Sequence, residues 1–315
     1  MLPLHLLRPL IAVTLHTRAF SLSLQRNMRL LQFLQDGKQS VGAELQDTSI
    51  VNLSSSNPQI PNSLVKFLES GESNFNLAKK ALESSTKQFV QRSDIKILSP
   101  ITNCEKVICV GMNYKDHCEE QNMPIPTEPV IFSKFPSSII GDGDDIIIPK
   151  ISDSVDWEVE LAVIIGKEGK HIKESNALDY VAGYTVAHDV SARDWQMKRN
   201  SKQWLLGKTF DTFCPLGPVM VTKDEIKDPH NLSLECLVNG EVMQSSNTNQ
   251  LVFSIETCIA WISRVFTLRP GDVLLTGTPP GVGVFRNPPV FLKAGDTVVC
   301  DIEGIGKITN KMVAE

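Results

Sequence analysis

Asp156-Trp-Glu158-Val-Glu160-Leu places two carboxylates two residues apart within a run that continues Ala-Val-Ile-Ile. On a β-strand, side chains at i and i+2 share a face, so Glu158 and Glu160 point together while Trp157, Val159 and Leu161 pack on the other side. Two carboxylates aimed into one space repel each other unless a positive charge sits between them. Taken alone, Glu-x-Glu also fits the wet face of an amphipathic strand. Its apolar continuation argues for a strand entering a core instead. A third acid, Asp189, closes another apolar run, Tyr184-Thr-Val-Ala-His-Asp, between Val-Ala-His and Val-Ser-Ala, an odd place for a solvated charge. Glu158, Glu160 and Asp189 together make an all-oxygen set suited to a hard divalent ion, Mg²⁺ first, with Mn²⁺ or Ca²⁺ as alternatives, and unsuited to zinc.

A proton-handling pair lies upstream. Gly111-Met-Asn-Tyr-x-x-His117-x-x-Glu120 follows a strand-like run, and on one helical turn His117 and Glu120 are neighbours. Glu120 can then orient the imidazole for general acid–base work, although His-Cys-Glu-Glu-Gln also reads as a polar surface turn. Lys208, after Trp-Leu-Leu-Gly, is either a surface lysine or a cation that holds a substrate oxygen beside the metal. Arg193 and Gln196 follow Asp189 by four and seven residues. On a helical turn both face the metal side, while Arg193 equally suits a structural bond to backbone or to Asp194. Thr278 lies in a glycine-rich loop, Thr276-Gly-Thr-Pro-Pro-Gly-Val-Gly, whose N–H groups and hydroxyl can bind a carboxylate. The loop lacks the Gly-Lys-Ser/Thr ending of a phosphate loop. Strand alternation turns His188 away from the metal, and His171 and His230 read as surface residues.

Five motifs occur in order: Val107-Ile-Cys-Val-Gly-Met-Asn-Tyr-x-x-His, Asp156-Trp-Glu-Val-Glu-Leu-Ala-Val, His188-Asp-Val-Ser-Ala-Arg-Asp-Trp-Gln, Gly207-Lys-Thr-Phe-Asp and Leu275-Thr-Gly-Thr-Pro-Pro-Gly-Val-Gly. Together, over about residues 101–313, they resemble the fumarylacetoacetate hydrolase superfamily. The resemblance implies a mixed β-roll around a Mg²⁺ or Mn²⁺ site, usually in a homodimer. Its Glu-x-Glu and following Asp ligands match Glu158, Glu160 and Asp189. Its His-x-x-Glu lid helix matches His117 and Glu120, its site lysine matches Lys208, and Arg193 and Gln196 resemble its site residues. The superfamily includes oxaloacetate keto–enol tautomerases, oxaloacetate decarboxylases and diketo-acid hydrolases. All three work through an enolate that the metal stabilises. Tautomerisation asks the least of a site: a metal, an anion clamp and a proton shuttle. The expected activity is therefore conversion of enol-oxaloacetate to keto-oxaloacetate, a small 2-oxo dicarboxylic acid. A C–C hydrolase of acylpyruvates, a decarboxylase, and a metal-binding scaffold without turnover are the alternatives.

The elements that must position these residues are mostly strands. The runs 106–111, 130–134, 145–149, 155–166, 181–189, 232–242 and 272–278 are β-type and closely punctuated by turns such as Asn239-Gly240. Helices are few after residue 98, chiefly 254–266. The fold class expected is α+β, β-dominated, with a catalytic domain over 99–315. Residues 28–98 read as a small N-terminal domain: a strand from Met28, a meander through 41–53, and two short helices in 62–87 broken at Gly71.

Composition narrows the rest. The chain has 315 residues, 42% of them hydrophobic, and a formal net charge of −5. There is no basic excess to hold a nucleic acid, and no apolar run reaches the roughly 18 residues of a membrane span. The seven cysteines include no CxxC pair, which argues against a disulfide framework or a zinc site. Residues 1–27 hold Arg8, Arg18 and Arg26 and no acid, and they are rich in Leu and Ser. That composition predicts a mitochondrial presequence directing the chain to the matrix.

Overall fold

The computed structural model describes residues 27–315. The presequence expected over 1–27 lies outside them but for Asn27. A large mixed sheet forms the middle of the molecule. Its strand order runs Phe89–Val90, Ile50–Asn52, Lys38–Glu44, Arg29–Gln35, Cys214–Thr222, Val181–His188, Val159–Ile165, Val273–Leu275, Val107–Gly111, Val130–Lys134. Five further strands make a second sheet, ordered Glu241–Asn247, Ser233–Val238, Thr297–Ile302, Gly306–Ala314, Ile146–Ile148. The β-dominated architecture expected from the sequence is what the chain adopts.

Strand alternation explains how the layers stack. Along Val159–Ile165 every residue is buried. Leu161, Val163 and Ile165 share a core with Leu234, Cys236, Val298 and Ile308 of the second sheet. Ala162 and Ile164 face the opposite core, with Leu64, Phe67, Phe75 and Ala78. Those last four come from the helices Leu64–Glu69 and Glu72–Glu83, separated at Gly71, whose φ of 55° suits a residue without Cβ. The N-terminal meander joins the large sheet directly, since Arg29 pairs with Val221 and Leu30 with Met220.

The central strands bring their chemistry to one end. Val273–Leu275 runs parallel to Val107–Gly111, so the loops after Gly111 and after Leu275 leave the sheet on the same side. Val159–Ile165 runs antiparallel to Val273–Leu275 and to Val181–His188. Its beginning therefore meets the end of Val181–His188 at that same edge. Asn113 stitches the two loops, donating from Nδ2 to the Thr276 carbonyl at 2.8 Å and accepting the Phe253 N–H at 2.8 Å. Gly277, at φ 107°, lies so close that a Cβ there would meet the Asn113 Cβ at 2.9 Å.

Candidate metal centre

Strand register places the acids. Val155 pairs with Ala192 and Asp156 with Ser191, and further along Val159 pairs with His188 and Glu160 with Ala187. The offset is the same on both sides of the gap, so Glu158 stands opposite Asp189. The Asp189 N–H donates to the Glu158 carbonyl at 2.9 Å. Glu158, Glu160 and Asp189 consequently share one face, are all buried, and offer oxygens within 4.8 Å of one another. Like charges at opposed positions destabilise a sheet unless other charges intervene.

Three cations intervene. Lys208 Nζ lies 2.8 Å from Glu158 Oε2 and 2.7 Å from Asp189 Oδ2. Lys134 Nζ lies 2.6 Å from Asp189 Oδ1 and donates to the Val190 carbonyl at 3.0 Å. Arg193 pairs through Nη2 with Glu158 Oε1 at 2.7 Å and through Nε with Asp156 Oδ2 at 2.8 Å, while Nη1 donates to Gln196 Oε1 at 2.9 Å. Asp156 also accepts the N–H groups of Trp157, Gly283 and Val284, which ties the strand entrance to the loop after the glycine-rich turn.

The charges do not balance. Asp156, Glu158, Glu160 and Asp189 face Lys134, Arg193 and Lys208, four negative groups against three positive. The excess falls on Glu160. Among the described residues its one hydrogen-bond donor is the Gly277 N–H, at 2.6 Å from Oε2. Burial, then the neighbouring carboxylates of Asp189 and Glu158, push the Glu160 carboxyl well above the ordinary 4.5. Asp189 behaves oppositely: burial pushes it up, but Lys134 and Lys208 outweigh that and hold it well below 3.8. A net-negative, all-carboxylate cluster with one under-partnered member fits a hard divalent cation.

The other expected residues gather around this cluster. His117, Glu158, Glu160, Arg193, Gln196, Lys208 and Thr278 line one cavity of about 320 Å³. His117 and Glu120 lie on the helical turn Lys115–Glu120, with Nδ1 2.9 Å from Glu120 Oε2. The other Glu120 oxygen accepts the Gly281 N–H at 2.9 Å, so this carboxylate fastens the turn to the glycine-rich loop. With Nδ1–H given to Glu120, Nε2 is left to exchange a proton. The Phe285 ring packs on the imidazole, with centroids 5.9 Å apart. The Thr278 hydroxyl donates to the Val159 carbonyl at 3.0 Å and accepts from Gln244 Nε2 at 2.9 Å. Its single hydrogen is thus spent on the scaffold. His188 is buried facing away from the acids, and burial, then Lys134, lowers its pKa to about 3, so it stays neutral.

Three contributors escape a reading of the sequence. Asp156 carried a signal, because it precedes Glu158 by two residues and shares its face. Lys134 merely ends an apolar run, and nothing local marks it as a buried ammonium. Gln244 accepts the Val159 N–H at 2.9 Å and clamps Thr278 from the second sheet, a role no spacing announces. Arg193 reaches Asp156 and Glu158; its own neighbour Asp194 instead accepts from Ser152 Oγ at 2.6 Å.

Comparison with known proteins agrees with this geometry. The profile described as fumarylacetoacetate (FAA) hydrolase C-terminal matches residues 106–313. The chain is 60% identical over 304 residues to the mitochondrial oxaloacetate tautomerase fahd2 of Xenopus laevis, covering 96% of this chain and 95% of the relative. It is 56% identical over 311 residues to the mitochondrial oxaloacetate tautomerase FAHD2A of Homo sapiens, covering 97% and 98%. Among solved structures, a fumarylacetoacetate hydrolase from Exiguobacterium antarcticum superposes with a TM-score of 0.79 at 36% identity, over 91% of this chain and all of that one. Motifs, sheet topology and the carboxylate cluster at the strand ends converge: the chain belongs to the fumarylacetoacetate hydrolase family.

Proposed function

We propose that this chain is an oxaloacetate tautomerase that converts the enol to the keto form, with Mg²⁺ held by Glu158, Glu160 and Asp189. The observation that carries the reading is one cavity lined by Glu158 and Glu160, whose triad partner Asp189 is buried within 4.8 Å of them, and by His117, whose Nδ1 is held by Glu120. The choice of substrate rests on relatives of nearly full-length likeness that bear that name. When bound, the ion polarises the 2-oxo acid as a Lewis acid.

The chain's own groups supply the rest. Lys208, beside Glu158 and Asp189, steadies the negative charge that develops on the substrate oxygen. His117 Nε2 would take the proton of the enol hydroxyl and return it to C3, and Glu120, accepting Nδ1–H, holds the ring in the tautomer whose Nε2 is free to do so. The freed Gln196 Nε2 and the loop at Thr278 orient the carboxylate. Arg193, on the cavity wall, holds Glu158 and Gln196 in place. Phe285, Phe132, Met112 and Trp204 on the cavity wall exclude water while the proton moves.

The test is a direct assay with Mg²⁺, following the ultraviolet absorbance of enol-oxaloacetate alongside release of CO₂ and cleavage of an acylpyruvate. Enol decay faster than without enzyme, and lost in His117→Ala, is the expected result. Enol decay at the enzyme-free rate with CO₂ or cleavage product accumulating makes the chain a decarboxylase or a C–C hydrolase, and no turnover at all makes it a scaffold. Two further parts of the reading have their own tests. The naming of the relatives favours a mitochondrial address; a mature N-terminus near residue 27 together with recovery of the chain in the matrix fraction supports the matrix. A dimer mass by light scattering supports the homodimer.

A further inference from the structure

Between Gln196 and Lys208 the chain does something costly. Asn200, Ser201 and Lys202 have φ of 46°, 52° and 63°, three consecutive left-handed residues without a glycine. L-residues avoid this conformation, and where it persists the surroundings hold it and function often explains it. Here Lys202 N–H donates to the Arg199 carbonyl at 2.8 Å and Gln203 N–H to the Asn200 carbonyl at 3.0 Å. Just beyond, Trp204 packs its ring edge-on to Phe132, with centroids 5.4 Å apart, and seats against Gly111, where a Cβ would meet the ring at 2.5 Å. The turn is therefore pinned to the wall of the catalytic cavity.

The turn aims one cation at that cavity. Arg199 stacks over Trp195 at 4.7 Å, and Lys198 lines a separate surface hollow with Lys150 and Asp194. Of this basic stretch only Lys202 lines the catalytic cavity. The other two cations lining it are engaged, Lys208 on Glu158 and Asp189, and Arg193 on Asp156 and Glu158. Among the described residues the Lys202 ammonium pairs with no carboxylate. A 2-oxo dicarboxylic acid that uses one carboxylate and its keto oxygen at the triad still carries a second carboxylate. That charge would enter a cavity lined by Glu158 and Glu160 in which, among the described residues, Lys202 is the one lysine or arginine not already paired with a carboxylate.

We propose that Lys202, held at the cavity wall by its left-handed turn, is the specificity residue that pairs with the distal carboxylate of a dicarboxylic substrate. The proposal rests on the reading of this site as one for a 2-oxo diacid. Malate and lactate test it without turnover, since both present a carboxylate beside a hydroxyl and only malate has the distal carboxylate. Calorimetry on the full chain with Mg²⁺ should show wild type preferring malate. Lys202→Met should weaken malate about tenfold, ~1.4 kcal/mol, and leave lactate unchanged. Lys202→Arg should restore malate, Lys202→Glu should weaken it further, and Lys198→Met should change neither ligand. With enol-oxaloacetate, Lys202→Met should raise KM and spare kcat. Wild type that binds malate no better than lactate overturns the proposal. So does a Lys202→Met variant that binds malate normally, or that weakens both ligands alike. If malate discrimination depends on Lys202 but wild type does not speed enol decay, the tautomerase reading falls and Lys202 keeps its role.

Discussion

Lys208 and Lys134 put two buried ammonium groups against Asp189, with 1% and 0% of their surfaces exposed. Removing one partner of a buried ion pair typically costs about 3–5 kcal/mol, because the other charge is left without compensation. Lys134→Met should therefore lower the melting temperature markedly, and added Mg²⁺ should recover part of the loss. Lys208→Met should reduce kcat by about 10²-fold or more, on the scale of losing one donor to a developing negative charge. Glu160→Ala should abolish both catalysis and the melting-temperature rise that Mg²⁺ produces in wild type. The Glu160 carboxyl also sets a pH dependence. Its folded pKa is raised above 4.5, so the metal-free fold binds an extra proton and loses stability as pH climbs from 4.5 through the raised value. A divalent ion needs that proton gone. The Mg²⁺-induced rise in melting temperature should consequently grow from acid to neutral pH, and an equal rise throughout would contradict this account of Glu160.

The helical turn Lys115–Glu120 works as an element through one residue. Glu120 grips His117 with one oxygen and the Gly281 N–H with the other, so it couples this turn to the glycine-rich loop. The turn has a second fastening, since Ser246 Oγ donates to Asp116 Oδ2 at 2.6 Å. His117→Ala should cost about 10²–10⁴ in kcat, the range for a lost general acid–base group. Glu120→Ala should cost less, since the imidazole remains but loses its orientation. A Glu120→Ala variant as poor as His117→Ala would mean that the carboxylate itself handles the proton. Across the cavity, Gly111→Ala should disturb substrate binding by displacing Trp204 and the turn it anchors. Its readout is a raised KM together with altered Trp fluorescence.

Over the whole molecule, the layering of helices, large sheet and second sheet leaves every cysteine buried and unpaired. Burial pushes the Cys104 and Cys258 thiols up to about 12. A thiolate is the reactive form, so a thiol reagent at mildly alkaline pH should label the native chain slowly and all seven cysteines only after denaturation. Rapid labelling of the native protein would show that the layers open. The same layering makes the N-terminal strands part of one sheet with the strands that carry the carboxylate cluster, through the pairing of Arg29 and Leu30 with Val221 and Met220. No helix among the described residues is long and apolar enough to cross a membrane.

Two kinds of order are visible in this chain. Local periodicity is written in the sequence. The two-residue repeat puts Glu158 and Glu160 on one face, the helical turn puts Glu120 beside His117, and the apolar runs mark strands of both sheets. Those features depend only on neighbours a few residues away, so composition and spacing expose them. The tertiary structure alone decided what crosses long separations. Register set Asp189 opposite Glu158, and no local pattern specifies a register between strands thirty residues apart. Sheet order brought Lys134 to Asp189 and Gln244 to Thr278. It also drew Arg193 toward Asp156 and Glu158 rather than to its own neighbour, because a buried guanidinium must meet the carboxylates that folding delivers, and Asp194 is taken by Ser152. The triad's members were thus legible from residue types and likeness. Their charge balance, three cations against four acids with Glu160 left short, exists only once the sheet has closed around them.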